Sequence, residues 1–248
     1  MEHVPFVLSG GGARGFAHLG VVEACAEAGI VPSAISATSA GALLGAFIAA
    51  GMDASEVDAL IRRHVPGVFN PWRVLRGDRL TQQRLRTFLT EALPVKRFED
   101  LHIPFYVSVT DLHTGLQHIL HEGDLVPALL AASAVPVVFP PVAIGDGLYV
   151  DGGLSNNLPI EPFHHRRAEV IAVYVNPLPP YNPRSSIRAT LDRTVHLSFR
   201  EVVARSALGC RLFIEPPALS AFGMFDLHQA DRIRTIAHKY TRELLASR

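Results

Sequence analysis

The sequence predicts an α/β fold with a mostly parallel sheet and helices on both faces. Three observations carry this. Short apolar runs alternate with longer stretches of helical character, the order expected of strand–helix–strand units. Val170–Val175 is an uninterrupted, largely β-branched run of the kind buried on both faces of a sheet. No repeat, charge block or low-complexity linker divides the 248 residues, so one domain spanning 1–248 is expected.

Val4–Leu8 reads as the first strand, with Pro5 tolerable only near its start. A glycine loop follows, then a helix from about Gly15 to Ala28 stopped by Gly29. Ala34-Ile35-Ser36 forms a short second strand. Ala40–Ala50 is a small-residue helix, and Asp53 or Ser55 caps the next one, toward His64. Thr81–Ala92 is helical. Pro104–Thr110 and Leu116–Leu120 pair as a hairpin around Thr114-Gly115, and Leu125–Ser133 is a helix. A proline-rich stretch, Val135–Val142, precedes Leu148-Tyr149-Val150, which leads into Asp151-Gly152-Gly153. Ile187–Ala207 is helical, Arg211–Ile214 is a strand, and Asp226–Ala246 is the terminal helix.

Composition narrows the function classes. Hydrophobic residues make up 48% of the chain and charged residues 19%, which argues against disorder. Lys plus Arg (23) balances Asp plus Glu (23), so the basic excess of a general nucleic-acid binder is missing. Cys25 and Cys210 are too few for a disulfide framework or a cysteine-rich metal site, and suit a reducing compartment. Met1–Pro5 lacks the basic and apolar regions of a signal peptide. The most apolar stretch, Ala40–Gly51, is shorter than the ~20 residues that span a bilayer. A cytoplasmic protein is expected, with peripheral membrane contact left open.

Ser9-Gly10-Gly11-Gly12-Ala13-Arg14-Gly15 lies between a strand and a helix. Consecutive glycines let backbone N–H groups converge, and the helix N-terminus adds partial positive charge, so the loop suits an anion. Gly10-x-Gly12-x-x-Gly15 matches the dinucleotide pyrophosphate pattern, but it equally suits an acyl-transfer oxyanion. A dinucleotide site needs a carboxylate at the end of the second strand. This chain has Ser36-Ala37-Thr38-Ser39 there, a serine among small residues.

Ala37-Thr38-Ser39-Ala40-Gly41 therefore reads as a strand-to-helix turn presenting a nucleophile. Ala37 stands where the usual Gly-x-Ser-x-Gly pattern has glycine. A serine N-cap for the following helix is the plainer alternative. The nucleophile needs a proton acceptor. None of the twelve histidines has a singular context: His164-His165-Arg166-Arg167 is a solvated run, and His18 a surface or packing residue. Asp151, between an apolar strand end and Gly152-Gly153, can be held in a fixed orientation by a tight turn.

Together the glycine loop, the Ser39 turn and Asp151-Gly152-Gly153 resemble the patatin-like phospholipase family. Ala131–Pro136, Phe139-Pro140-Pro141 and Asn156-Asn157-Leu158-Pro159 add to the likeness. The resemblance implies a three-layer α/β/α fold and a serine lipid acyl hydrolase with a Ser39–Asp151 dyad and no metal or organic cofactor. It implies oxyanion donors from Gly11 and Gly12, joined by Gly10 or Ala13, and a substrate-facing or loop-holding role for Arg14. Lipid or another acyl ester is the implied partner. A soluble carboxylesterase or thioesterase, and a non-catalytic nucleotide-binding protein, are the alternatives. One physical demand follows: a carboxylate of pKa about 3.9 is a poor acceptor for a serine proton unless it is desolvated or the alkoxide is stabilised. Finally, Val65–Arg97 places Phe69, Trp72 and Val74 beside Arg73, Arg76 and Arg79; a lid or membrane contact over Ser39 is one expectation, and an ordinary surface loop with Trp72 packed back on the domain is the other.

Overall fold

The computed structural model describes residues 1–68, 79–136, 138–178 and 187–247. Among these residues eight strands form one sheet: β1 (Glu2–Leu8), β2 (Ile30–Ala37), β3 (Phe105–Asp111), β4 (Gln117–Leu120), β5 (Val142–Ile144), β6 (Gly147–Asp151), β7 (Ile171–Val173) and β8 (Leu212–Ile214). Their order is β5-β6-β3-β2-β1-β7-β8, with β4 paired to β3. The five strands β3, β2, β1, β7 and β8 run parallel, while β4 and β6 are antiparallel to β3 and β5 is antiparallel to β6. The helices are α1 (Phe16–Glu27), α2 (Ser39–Ala49), α3 (Ala54–Val68), α4 (Arg79–Ala92), α5 (Leu125–Ala132), α6 (Ile187–Ala207) and α7 (Ala230–Ala246).

Strand alternation sorts the core into two clusters, one on each face of the sheet. Phe6, Leu8, Ile35, Val107, Ile171 and Val173 belong to the larger cluster, which packs with residues of α1, α2, α3, α4, α5 and α7. Val7, Ala172 and Tyr174 belong to the smaller one, with Leu158, Ile160, Phe163 and Val203 of α6. The result is three layers of unequal thickness, an α/β fold as the alternation predicted.

Several elements differ from the sequence reading, each for a local reason. β1 begins at Glu2, so Pro5 sits mid-strand. The pairing register shifts between Val4 and Pro5, and β7 pairs only with Phe6–Leu8, so the missing N–H falls at a bulge short of that ladder. β2 is eight residues long, because Ile30–Pro32 also pairs with β1, with Ser33 the extra residue at the register shift; Pro32 and Ser33 mask the apolar pattern. The end of the proline-rich stretch supplies β5, which pairs antiparallel with β6. Asp53 caps α3: its Oδ1 accepts from the Ser55 and Glu56 N–H groups, while the Glu56 carboxylate accepts from the Asp53 N–H. The terminal helix starts at Ala230, after a short 3-10 turn, Leu227–Gln229. Trp72 and its neighbours at 69–78, the centre of the expected lid, lie outside the described residues. Among the described residues no helix is long and apolar enough to cross a membrane.

Candidate active site

The glycine loop and the serine turn both leave the carboxyl edge of the parallel strands, where β1 and β2 end at Leu8 and Ala37. Thr38 is the extended N-cap of α2, and its hydroxyl is turned to the Ser108 carbonyl (3.2 Å). Ser39 follows in the left-handed region at φ 50°, the only non-glycine residue with positive φ among those described. A β-carbon is disfavoured there, so the packing around the turn must hold Ser39 in place. Gly41 is part of that packing: a Cβ on it would stand 2.5 Å from the Ser9 carbonyl oxygen and 2.7 Å from that of Leu8. Ala37 takes the place of the usual glycine with its side chain fully buried in the larger cluster, so its extra methyl is accommodated.

The Ser39 hydroxyl does not cap α2. It donates to Asp151 Oδ2 at 2.6 Å. Asp151 ends β6, and its other oxygen accepts from the Gly153 N–H at 2.8 Å. Its backbone is held as well, with its N–H on the Ala134 carbonyl (3.0 Å) and its carbonyl accepting from Thr110 Oγ1 (3.0 Å). The turn after it is tight: a Cβ on Gly152 would lie 2.2 Å from the Ser108 carbonyl oxygen. Asp151 is buried. Desolvation pushes its pKa up from 3.8 to about 6, against the opposing hydrogen bonds from Ser39 and the Gly153 N–H.

The glycine loop sits directly beside this pair. A Cβ on Gly10 would be 2.9 Å from Ser39 Cβ, and one on Gly15 would be 2.7 Å from Ala40 Cβ. The Gly10 N–H donates to Asn157 Oδ1 (2.9 Å), and the Ala13 N–H to the Met224 carbonyl (2.8 Å). Both groups expected to support the oxyanion site are therefore already engaged, which narrows the donor set. Among the described residues, none accepts from the Gly11 or Gly12 N–H.

Arg14 does not face substrate space. It is buried, with Nε donating to the Phe222 carbonyl (2.7 Å) and Nη1 to Asn176 Oδ1 (2.9 Å). Of the two roles expected for Arg14, these contacts are those of a loop anchor. His18 is also interior: Nε2 donates to the Ser9 carbonyl (2.8 Å), and burial pushes its pKa down to about 4. Asn157 and Asn176 were not singled out for a role in the sequence. Asn157 stood only within the Asn156-Asn157-Leu158-Pro159 likeness, and both side chains are buried.

Ser39, Gly12 and Ala13 line a cavity of about 160 Å³ whose other walls are almost wholly apolar. Leu43, Leu44 and Phe47 of α2, Ile61 of α3, Leu85, Phe88 and Leu89 of α4, and Met224 and Phe225 enclose it. Such walls accept a hydrocarbon chain and offer little to a nucleotide's phosphates or ribose. Among the described residues, no three His, Cys, Asp or Glu side chains gather into a metal site.

The family model described as patatin-like phospholipase matches residues 6–164, a span holding the glycine loop, Ser39 and Asp151. The chain belongs to the patatin-like phospholipase family. This is a family of hydrolases acting on ester bonds. An uncharacterized NTE family protein of Mycobacterium tuberculosis is 38% identical over 163 residues, covering 62% of this patatin-like chain and 27% of that relative. Lysophospholipase NTE1 of Coccidioides immitis is 27% identical over 278 residues, covering 98% of this chain and 18% of that relative. The chain thus spans roughly a quarter or less of the curated relatives it matches. Among solved structures, VipD of Legionella pneumophila aligns with TM-score 0.63 at 18% identity, over 100% of this chain and 67% of that one. The type III effector ExoU aligns with TM-score 0.50 at 17% identity, over 98% and 53% of the two chains. Both likenesses are of fold, and agree with the three-layer arrangement.

Proposed function

We propose that this patatin-like chain hydrolyses fatty acyl esters of lipids, with Ser39 as nucleophile and Asp151 as the acid–base group. The observation that carries the reading is the 2.6 Å Ser39 Oγ–Asp151 Oδ2 hydrogen bond, with Ser39 lining an apolar cavity. Ser39 Oγ attacks the ester carbonyl carbon as its proton passes to Asp151 Oδ2. The carbonyl π pair moves onto oxygen, and the Gly11 and Gly12 N–H groups receive that oxyanion. Collapse expels the leaving alcohol, which takes the proton from Asp151, and leaves an acyl-serine. Water then gives a proton to Asp151 and its oxygen to the acyl carbon. Ser39 recovers the proton as the fatty acid departs.

A buried aspartate with its pKa near 6 meets the demand raised by the sequence. It is ionised at neutral pH yet closer to a useful base than an exposed aspartate. The acyl chain lies in the cavity beside α2. Soluble esters or thioesters would use the same dyad, and a comparison of acyl lengths and of vesicle against dissolved substrate separates them.

The test is kinetic. Ser39→Ala removes one hydroxyl and is expected to abolish turnover in a folded protein. Asp151→Asn is expected to lose about 10² or more in kcat, the scale of general-base catalysis. Histidines changed singly are expected to leave a measurable rate. Wild-type turnover in purified Ser39→Ala, or its loss in a single His→Ala variant, would reject the dyad.

A further inference from the structure

We propose that Asn176 is a positioning residue that holds the oxyanion donors in place. Its amide fixes the Gly10–Gly11 peptide, and Arg14 fixes its amide. The inference rests on the hydrolase reading above and concerns a residue 166 positions from the loop it controls.

The argument is one of peptide geometry. A trans peptide is planar, and its C=O and N–H point in opposite directions. Whatever holds the carbonyl of one residue therefore aims the N–H of the next. The Gly10 carbonyl accepts from Asn176 Nδ2 at 2.7 Å and from Ser9 Oγ at 3.0 Å. Ser9 Oγ is itself held, accepting from the Val175 N–H at 3.1 Å. The Gly11 N–H is thus directed away from this donor pair and left unengaged by the described residues. The Gly11 carbonyl accepts from the Arg14 N–H at 3.1 Å, and this aims the Gly12 N–H in the same manner. Glycine needs such outside restraint, because without a Cβ the peptides of Gly10, Gly11 and Gly12 are free to rotate.

Asn176 has to present its NH₂ end, and an amide alone does not determine which end that is. Arg14 does. A guanidinium can only donate, so its Nη1 selects the Asn176 oxygen and leaves the nitrogen for Gly10. Asn176 is 1% exposed and Arg14 5%, so water does not compete for these groups. Asn157 does the complementary work on the preceding peptide, accepting from the Gly10 N–H. The two asparagines hold opposite edges of Gly10.

The experiment compares Asn176→Asp, Asn176→Ala and wild type. The aspartate keeps the oxygen that faces Arg14 but sets a second oxygen against the Gly10 carbonyl, which repels it and turns the peptide. The alanine removes one of the two donors and leaves Ser9 Oγ. The expected order of kcat is wild type, then Ala about tenfold lower, then Asp about 10²-fold lower, the scale of losing one oxyanion donor. KM should stay within a few-fold. A trifluoromethyl ketone with the substrate's acyl chain forms a hemiketal oxyanion on Ser39, so its affinity should fall in parallel with kcat. The affinity of the free fatty acid, which carries no tetrahedral oxyanion, should not. A merely structural role would weaken both ligands alike. Unchanged kcat in folded Asn176→Asp, or a loss confined to KM, overturns the proposal. If Asn176→Asp does not fold, Asn176→Ala is read instead: a kcat about tenfold lower with KM within a few-fold supports the proposal and an unchanged kcat overturns it. A wild type that neither turns over esters nor takes up a fluorophosphonate at Ser39 defeats the hydrolase reading itself. An active wild type, inactivated by Ser39→Ala and indifferent to Asn176→Asp, defeats only the role of Asn176.

Discussion

Asp151 is where the chemistry and the stability of this chain pull in opposite directions. Burial raises its pKa from 3.8 to about 6, which equips it as a base and makes its ionised form costly to the fold. The shift corresponds to about 3 kcal/mol. Because the folded-state pKa lies above the unfolded one, this stability is complete below about pH 4 and is lost as pH rises through about 6. Asp151→Asn can keep both local hydrogen bonds, its oxygen accepting from the Gly153 N–H and its NH₂ donating to Ser39. It should therefore be more stable than wild type at pH 8, by up to ~3 kcal/mol, with melting raised by about 2–4 °C per kcal/mol. The difference should vanish below about pH 4. Thermal melts of the two proteins across pH 3.5–8 check this, and a variant less stable than wild type at pH 8 would contradict it. The same ionisation requires wild-type kcat/KM to fall on the acid side as pH drops through about 6.

At the scale of elements, the decisive feature is the approach of α2 to the end of β1. Glycine within a helix usually costs up to about 1 kcal/mol relative to alanine, so Gly41→Ala should help on propensity alone. The position forbids it, since a Cβ there meets the Leu8 and Ser9 carbonyls, which are backbone and cannot step aside. Gly41→Ala is expected to lower stability by about 1–3 kcal/mol, the usual cost of overpacking, and to reduce turnover by displacing Ser39. Denaturant melts and kinetics together check it, and a stabilised, fully active variant would contradict it. What the sequence revealed follows the same boundary between local and distant. Gly10–Gly15, Ala37–Gly41 and Asp151–Gly153 are contiguous motifs, so their place between strand and helix was readable. Asn157, Asn176 and the Met224 carbonyl come from separate segments that meet only after the sheet forms; Asn157 was visible only as part of Asn156-Asn157-Leu158-Pro159, without a role, and no local pattern marks the other two. Likewise the first half of β2 was hidden by Pro32 and Ser33. For Arg14 the sequence left a substrate-facing and a loop-holding role open, because its position reports the loop it belongs to and not the direction of its side chain.

Across the whole molecule, the larger helical layer does two jobs: it covers one face of the sheet and encloses the cavity beside Ser39. Phe88 of α4 lines that cavity and packs near Phe47 of α2, with ring centroids 6.0 Å apart. Phe88→Ala should enlarge the cavity and move the preferred acyl chain toward longer homologues. A kcat/KM profile against chain length checks this, and an unshifted profile in folded protein would place the acyl chain elsewhere. The most direct test of the central claim is labelling with a fluorophosphonate, followed by mass-spectrometric mapping of the modified residue. The account expects one adduct, on Ser39, formed at a rate that falls at least about 10²-fold in Asp151→Asn. No adduct, or an adduct on another serine at the same rate in Ser39→Ala, would contradict it.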